Sequence, residues 1–138
     1  MRKTDLAYVA GLIDGEGCIG AQLHKSKDCS MIFIKVGMAD RECVEFLQFL
    51  FGGKIYQEKI KRKNTIYVWA LYGMKAWEIL KEIKPYLILK RSRAEIAIRI
   101  FEGHPYRKQL TPMEKFLQNI DSNMLHKLNT REAKRDLD

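Results

Sequence analysis

The chain has 138 residues, 46% of them hydrophobic, and a formal net charge of +8 at pH 7. This length suits one domain with a real core and is too short for two. No apolar run approaches the ~20 residues that span a bilayer, and the first apolar stretch breaks at Asp14 without forming a secretory signal. We therefore expect a single domain over residues 1–138 with no membrane partner. We expect it inside the cell, in the cytoplasm or in an organelle with its own genome, and not secreted.

The basic residues are concentrated in the second part of the chain. Residues 1–53 contain six Lys/Arg and seven Asp/Glu, whereas residues 54–138 contain nineteen and ten. Such an excess favours a polyanionic partner and salt-dependent binding. The three cysteines, Cys18, Cys29 and Cys43, lack C-x-x-C spacing, and the three histidines are scattered. This pattern indicates free thiols in a reducing compartment and argues against a zinc site.

An apolar helix that runs into two acids opens the chain. Residues 8–17 read Tyr-Val-Ala-Gly-Leu-Ile-Asp-Gly-Glu-Gly, and residues 6–13 contain no charge, so more than one face of the helix must be covered. Thr4 and Asp5 provide a helix start, and the helix is predicted to end at about Asp14. Gly15 and Gly17 remove side chains around Glu16, which allows a ligand or a phosphate to approach the backbone. A stripe of small residues would let two helix backbones approach closely. The stripe consists of Ala7, Ala10 and Gly11.

Two hairpins, each followed by a helix, come next. Period-two alternation predicts half-buried antiparallel strands, and Asp40, Gly52 and Pro85 mark helix ends. The predicted elements are strands over 18–25 and 31–38, a helix over 40–51, strands over 54–61 and 65–72, and a helix over 74–84. The order α-ββα-ββα predicts an α+β fold in which a four-stranded antiparallel sheet has its helices on one face.

The C-terminal third is predicted to be helical. Residues 92–95, Ser-Arg-Ala-Glu, form a capping box, and Gly103 closes that helix. Residues 111–114, Thr-Pro-Met-Glu, form a second capping box that opens a helix to about Leu128. We expect a core over about residues 4–103 and a helical extension over about 111–138.

The sheet face opposite the helices is predicted to bind nucleic acid. Aromatic, amide and basic groups together suit a surface that reads a DNA groove, whereas the simpler interpretation is a solvated face with charged hairpin tips. The candidate residues on the strands are Gln22, His24, Phe33, Lys35, Tyr56, Glu58, Tyr67 and Trp69. The candidates at the strand ends and in the turns are Lys25, Lys27, Lys61, Arg62 and Lys63.

One overlapping motif points to a different function. Residues 15–20 fit the dinucleotide fingerprint G-x-G-x-x-G, which needs a strand before it and a helix after it. Here the helix comes first and the strand follows, and Glu16 would repel a pyrophosphate. We therefore expect no nucleotide cofactor.

Residues 10–17, AGLIDGEG, closely resemble the signature of the LAGLIDADG homing endonucleases. Family members with one copy act as homodimers, and this chain contains one. The resemblance implies metal-dependent cleavage of both strands of a long, pseudo-palindromic DNA target, with short 3′ overhangs cut across the minor groove. We expect Ala7, Ala10 and Gly11 to pack against their symmetry mates in such a dimer, which would bring two Glu16 side chains together near the dyad.

The metal-ligating positions of the family fall on Glu16 and on the backbone carbonyl of Gly15. Hard cations such as Mg²⁺ prefer oxygen ligands of this kind. We therefore expect Mg²⁺ as the cofactor, with Mn²⁺ substituting for it and Ca²⁺ binding without cleavage. Asp14 has two interpretations, as a second metal ligand or as an end-of-helix hydrogen-bond acceptor that fixes the turn.

A second segment resembles the same family. Residues 85–90, Pro-Tyr-Leu-Ile-Leu-Lys, match the segment before the last core helix, in which the lysine lies in the active site, so Lys90 is a predicted catalytic residue beside Glu16. Arg91 and Arg93 would then either bind backbone phosphate or simply be solvated. Met38 stands where the family usually has a polar residue, so part of the water network would have to come from Asp40 or Glu42.

Two alternatives belong to other classes. A non-catalytic nucleic-acid binder of the same fold, such as an intron-splicing maturase or a transcription regulator, commonly lacks the catalytic acid, whereas Glu16 and Lys90 are both present here. A protein-interaction scaffold would leave the basic excess and the glycine-flanked acid unexplained.

Overall fold

The computed structural model describes residues 1–24, 29–60, 64–103 and 110–137, and the predicted DNA contacts Lys25, Lys27, Lys61, Arg62 and Lys63 lie outside these ranges. The elements are α1 (Lys3–Glu16), β1 (Gly17–His24), β2 (Cys29–Met38), α2 (Arg41–Phe51), β3 (Lys54–Ile60), β4 (Asn64–Tyr72), α3 (Gly73–Ile83), a 3-10 turn (Lys84–Tyr86), α4 (Arg91–Glu102) and α5 (Pro112–Leu137). The predicted α+β class and the order αββαββα are confirmed.

The four strands form one antiparallel sheet in the order β1-β2-β4-β3. Ile19 of β1 pairs with Ile34 of β2, and Val36 pairs with Trp69 of β4. All four side chains are fully buried, which identifies the face that the helices cover. Because side chains alternate along a strand, the intervening residues lie on the opposite, open face.

Each core helix contributes a buried stripe to the covered face. Val9, Ala10 and Ile13 of α1 have no exposed surface, and neither do Val44 and Leu47 of α2. Full burial of an aliphatic side chain of this size stabilises a fold by about 1.5–3 kcal/mol. The apolar pattern of the sequence therefore accounts for how these helices are placed on the sheet.

The long C-terminal helix α5 packs along β1. Leu125 is buried in the main core, and the side-chain amide of Asn129 donates a hydrogen bond of 3.0 Å to the carbonyl of Ile19. The capping box at its start is confirmed, because Thr111 and Glu114 exchange two side-chain to backbone hydrogen bonds of 3.2 and 3.3 Å. The helix runs nine residues beyond the predicted end at Leu128.

Two predicted helix starts are wrong. Helix α1 begins at Lys3, ahead of Thr4 and Asp5, and extends to Glu16. Helix α4 begins at Arg91, and the predicted Ser92 capping box is absent, because no side chain caps its N-terminus locally. The amide of Lys90, which precedes α4, instead donates to the distant carboxylate of Asp14.

No helix within the described residues is both long enough and apolar enough to cross a membrane.

Candidate metal-binding turn and nucleic-acid interface

The glycine-flanked acid lies where α1 passes directly into β1. Glu16 is the last residue of α1, its side chain is exposed, and Gly17 begins the strand. A Cβ at Gly17 would lie 2.8 Å from the Cα of Ile13, so only glycine permits this close return of the chain. A Cβ at Gly15 would have no atom within 4 Å. The turn is therefore tightly packed at Gly17 and open at Gly15 and Glu16.

Asp14 connects the end of α1 to the segment before α4. Its two carboxylate oxygens accept hydrogen bonds from the amide of Ile88 at 2.8 Å and from the amide of Lys90 at 2.9 Å. Both oxygens are thus engaged with backbone groups. This geometry favours the interpretation of Asp14 as a hydrogen-bond acceptor that fixes the turn over its interpretation as a metal ligand.

Lys90 is 1% exposed, and its ammonium group lies at the carbonyl end of α1. It donates to the carbonyls of Ile13 at 2.9 Å, Asp14 at 3.0 Å and Gly17 at 2.7 Å. Direct contact with a phosphate would require the ammonium to leave these carbonyls. The described contacts therefore hold the Lys90 ammonium at the acid turn, and a catalytic role for Lys90 stays a prediction.

The two arginines that follow Lys90 differ in exposure. Arg93 is only 7% exposed, which argues against its predicted contact with backbone phosphate. Arg91 is exposed, and its guanidinium donates to the carbonyl of Pro85 at 3.2 Å. Phosphate binding by Arg91 stays a prediction.

The exposed side of α1 carries part of the predicted interface. Ala7 and Gly11 are exposed on it, but Ala10 has no exposed surface because it packs in the core of its own chain, so its assignment to the interface is wrong. Tyr8 was not predicted from the sequence; it is half exposed, and its ring packs edge-on against Phe46 of α2 at 5.8 Å between centroids.

A hydrogen bond with the thiol of Cys43 raises the pKa of the Tyr8 hydroxyl. The exposed rings of Tyr8 and Phe46 form an apolar surface, and the exposed Phe49 extends it along α2. The sequence could have indicated this surface, because Phe46 and Phe49 are three residues apart and therefore lie on one face of a helix.

The open face of the sheet has an aromatic and cationic centre. The ammonium of Lys35 lies 4.6 Å from the ring centroid of Phe33 and 5.8 Å from that of Tyr72. A Cβ at Gly20, which pairs with Phe33, would lie 2.5 Å from the ring, so glycine there makes room for the aromatic side chain. Three further predicted residues, Gln22, Tyr56 and Glu58, are exposed on the same face. His24 lies in β1 in register with this face, and its side chain is outside the described part of the structure.

Two predicted DNA contacts lie on the other face of the sheet. Trp69 is fully buried, and its ring N–H donates to the carbonyl of Gly52 at 2.8 Å. Tyr67 is partly buried and packs against the same core. Tyr72, which was not predicted, takes their place on the open face. The side chains of β4 alternate between the two faces of the sheet, and both alternating sets are largely apolar. Hydrophobicity alone therefore does not indicate which set faces the core.

Within the described parts of the chain, no group of three or more His, Cys, Asp or Glu side chains is placed to hold a metal ion. One chain offers an exposed carboxylate at an open turn and, beside it, a sheet face with groups suited to a DNA groove. A sheet open on one face and backed by an apolar helix with a terminal glutamate is the architecture of a LAGLIDADG protein. A family model described as a LAGLIDADG-like domain matches residues 3–84, more than half of the sequence, and the chain belongs to this family.

Solved homing endonucleases share this fold. I-CvuI, solved with the I-CreI target in the presence of Mg with the DNA not cleaved, matches with a TM-score of 0.77 and 22% identity, covering 91% of this chain and 82% of that one. The archaeal intron-encoded I-Vdi141I, complexed with DNA, matches with a TM-score of 0.73 and 19% identity, covering 91% and 84%. I-SmaMI, bound to uncleavable DNA, matches with a TM-score of 0.69 and 20% identity, covering 88% of this chain and 44% of its own. No curated protein sequence matches the chain.

Proposed function

We propose that the protein is a homodimeric, metal-dependent homing endonuclease that cuts both strands of a long, pseudo-palindromic DNA target. The observation that carries this proposal is the exposed Glu16 at an open glycine turn, at the end of the helix whose outer face carries Ala7 and Gly11. The described residues of one chain contain no larger cluster of metal ligands. In a symmetric dimer, the second copy of the turn would supply the second carboxylate.

The donor groups at the turn fit a hard divalent cation. Glu16 offers a carboxylate, and Gly15 offers a backbone carbonyl with open space around its Cα. Oxygen donors in small number, completed by water, suit Mg²⁺. When bound, the ion would activate water and neutralise negative charge that develops at the phosphate. The similar protein I-CvuI was solved with its target in the presence of Ca, which supports the use of divalent ions.

The open sheet face supports DNA as the partner. Gln22 and Glu58 supply groups that can pair with base edges, and Lys35 supplies a cation at the centre of the face. Such side chains distinguish base pairs in the major groove. The similar solved proteins I-CvuI, I-Vdi141I and I-SmaMI are all complexes with DNA. This function would place the protein inside the cell, with access to genomic DNA.

The proposal is tested by incubating the protein with a pooled DNA target library in Mg²⁺, with Ca²⁺ as the control for binding alone. We expect cleavage of a small set of related sequences in Mg²⁺ and retention of the same set in Ca²⁺. Sedimentation should give twice the 16.2 kDa mass of one chain. A monomer on the DNA, or an absence of bound DNA, would contradict the proposal.

One observation favours a second candidate, a non-catalytic DNA- or RNA-binding protein of the same fold. Met38, at the position where the family usually has a polar residue, is partly buried and packs against the core, so it orders no water. The library experiment separates the two candidates. Tight retention of DNA without any cleavage in Mg²⁺ or Mn²⁺ would support the binder.

A further inference from the structure

The end of α1 and the segment before α4 are joined by a reciprocal set of five hydrogen bonds. The carboxylate of Asp14 accepts from two amides of the segment, and the ammonium of Lys90 donates to three carbonyls at the end of α1. The two side chains therefore each hold the backbone of the other's element, across 76 positions of sequence.

This arrangement satisfies the groups that a helix end leaves unpaired. The last carbonyls of a helix lack partners within it, and the C-terminus carries partial negative charge, so a cation there is favourable. Asp14 by itself would be unfavourable at that end, because its charge has the same sign as the helix terminus. Lys90 offsets this charge, and hydrogen bonds that involve an ionised group are the stronger ones.

The bonds surround the two predicted metal-binding groups without using them. Lys90 binds the carbonyls of Ile13, Asp14 and Gly17, on either side of the turn. None of the five bonds uses the carbonyl of Gly15 or the carboxylate of Glu16. Glu16 stays exposed, whereas Lys90 is buried behind the turn.

We propose that Asp14 and Lys90 form one positioning clamp, which sets the Gly15 carbonyl and the Glu16 carboxylate for a divalent cation, and that neither residue touches the cation or the phosphate. This inference rests on the proposed function and specifies how its metal site is held. It assigns Lys90 an effect on cation affinity, whereas a lysine that acted on the phosphate would change the rate of cleavage at saturating metal.

The test compares Lys90→Met, Asp14→Asn and the double variant. Loss of groups that orient metal ligands typically lowers metal affinity about 10- to 100-fold. We expect a shift of this size in the Mg²⁺ concentration for half-maximal cleavage, and in the calorimetric affinity of Ca²⁺ for the protein–DNA complex. Because the two residues form one unit, the double variant should lose no more than the worse single variant.

A second measurement needs neither metal nor DNA. Amide hydrogen exchange at Ile88 should accelerate in Lys90→Met, although Lys90 does not bond that amide through its side chain, because loosening the clamp frees Asp14. Glu16→Gln should abolish Ca²⁺ binding and leave this exchange unchanged. Lys3→Met, an exposed lysine at the start of α1, should change neither quantity.

Some outcomes would overturn the clamp. These are slower cleavage by Lys90→Met with unchanged Ca²⁺ affinity, multiplicative losses in the double variant, or unchanged exchange at Ile88. If Lys90→Met does not fold, Asp14→Asn decides the question through the same Ca²⁺ titration. If the wild-type protein binds no DNA, the proposed function fails, while the exchange measurement still shows whether the two residues act together.

Discussion

The acid turn and the open sheet face are held in different ways. At the turn, the side chains of Asp14 and Lys90 fix the backbone on both sides of Glu16 through five hydrogen bonds of 2.7–3.0 Å. On the sheet, Gln22 and Glu58 are exposed, and Lys35 rests against aromatic rings. In the proposed endonuclease, the hydrogen-bonded turn would supply the chemistry and the exposed side chains of the sheet would supply the recognition. Substitutions in the two regions should separate the rate of cleavage from the affinity for DNA.

The largest effect is expected from Glu16→Gln. Loss of the carboxylate removes the charge that binds the cation, and we expect cleavage to fall by more than about 10³-fold, since the metal contributes several kcal/mol. DNA affinity in Ca²⁺-free buffer should be retained, as measured by gel shift. Glu78→Gln, which removes an exposed acid on α3, is the matched control. Retained cleavage would falsify the assignment of Glu16 as the metal ligand.

Lys35→Ala should have the opposite effect to Glu16→Gln: weaker DNA binding with retained cleavage. Because Lys35 lies on the central strand β2 of the open face, we expect it to contact a base edge, and its loss should weaken binding by about 1–3 kcal/mol and relax specificity at one position. The cleavage rate of bound DNA should stay unchanged. Lys59→Ala provides the control, since Lys59 is exposed on β3 but has the opposite side-chain parity. A uniform loss across all sequences would instead indicate a phosphate contact.

A smaller and more specific effect is expected from Glu58→Gln. A carboxylate near DNA repels phosphate but can accept a hydrogen bond from the cytosine amino group, and a good contact of this kind gives at most about 1–3 kcal/mol of discrimination. The variant should bind the target pool at least as tightly and lose preference for cytosine at one position of each half-site. Sequencing of retained DNA before and after the substitution measures this. An unchanged base preference would remove Glu58 from the recognition set.

The smallest effect on function is expected from Trp69→Phe, on the covered face. The substitution leaves the carbonyl of Gly52 without its donor, so the free energy of unfolding should fall by about 1–2 kcal/mol. DNA affinity and cleavage of the folded protein should not change. Denaturant unfolding and gel shift measure the two quantities. Weaker DNA binding with unchanged stability would contradict this placement and support Trp69 as a DNA contact on the open face.

The sequence predicts the order αββαββα and every strand boundary within two residues, because alternation and helix periodicity are local signals. It does not predict the face on which Trp69 lies, since β4 is apolar at both parities. The stripe of small residues does not predict that Ala10 is buried in the core, because small residues suit a core as well as an interface. The role of Lys90 depends on carbonyls more than 70 positions away, which no local pattern reports.

The contact of α5 with β1 has a consequence for association between molecules. The sheet ends at β1 and β3, and unpaired strand edges are templates for pairing with another chain. Asn129 donates a hydrogen bond to the carbonyl of Ile19 on the first of these strands, so α5 covers part of that strand. Along β3, Lys54, Glu58 and Lys59 are exposed, and their charge opposes strand addition there. Removal of α5 should therefore expose the edge of β1 and favour its pairing with a strand of another molecule.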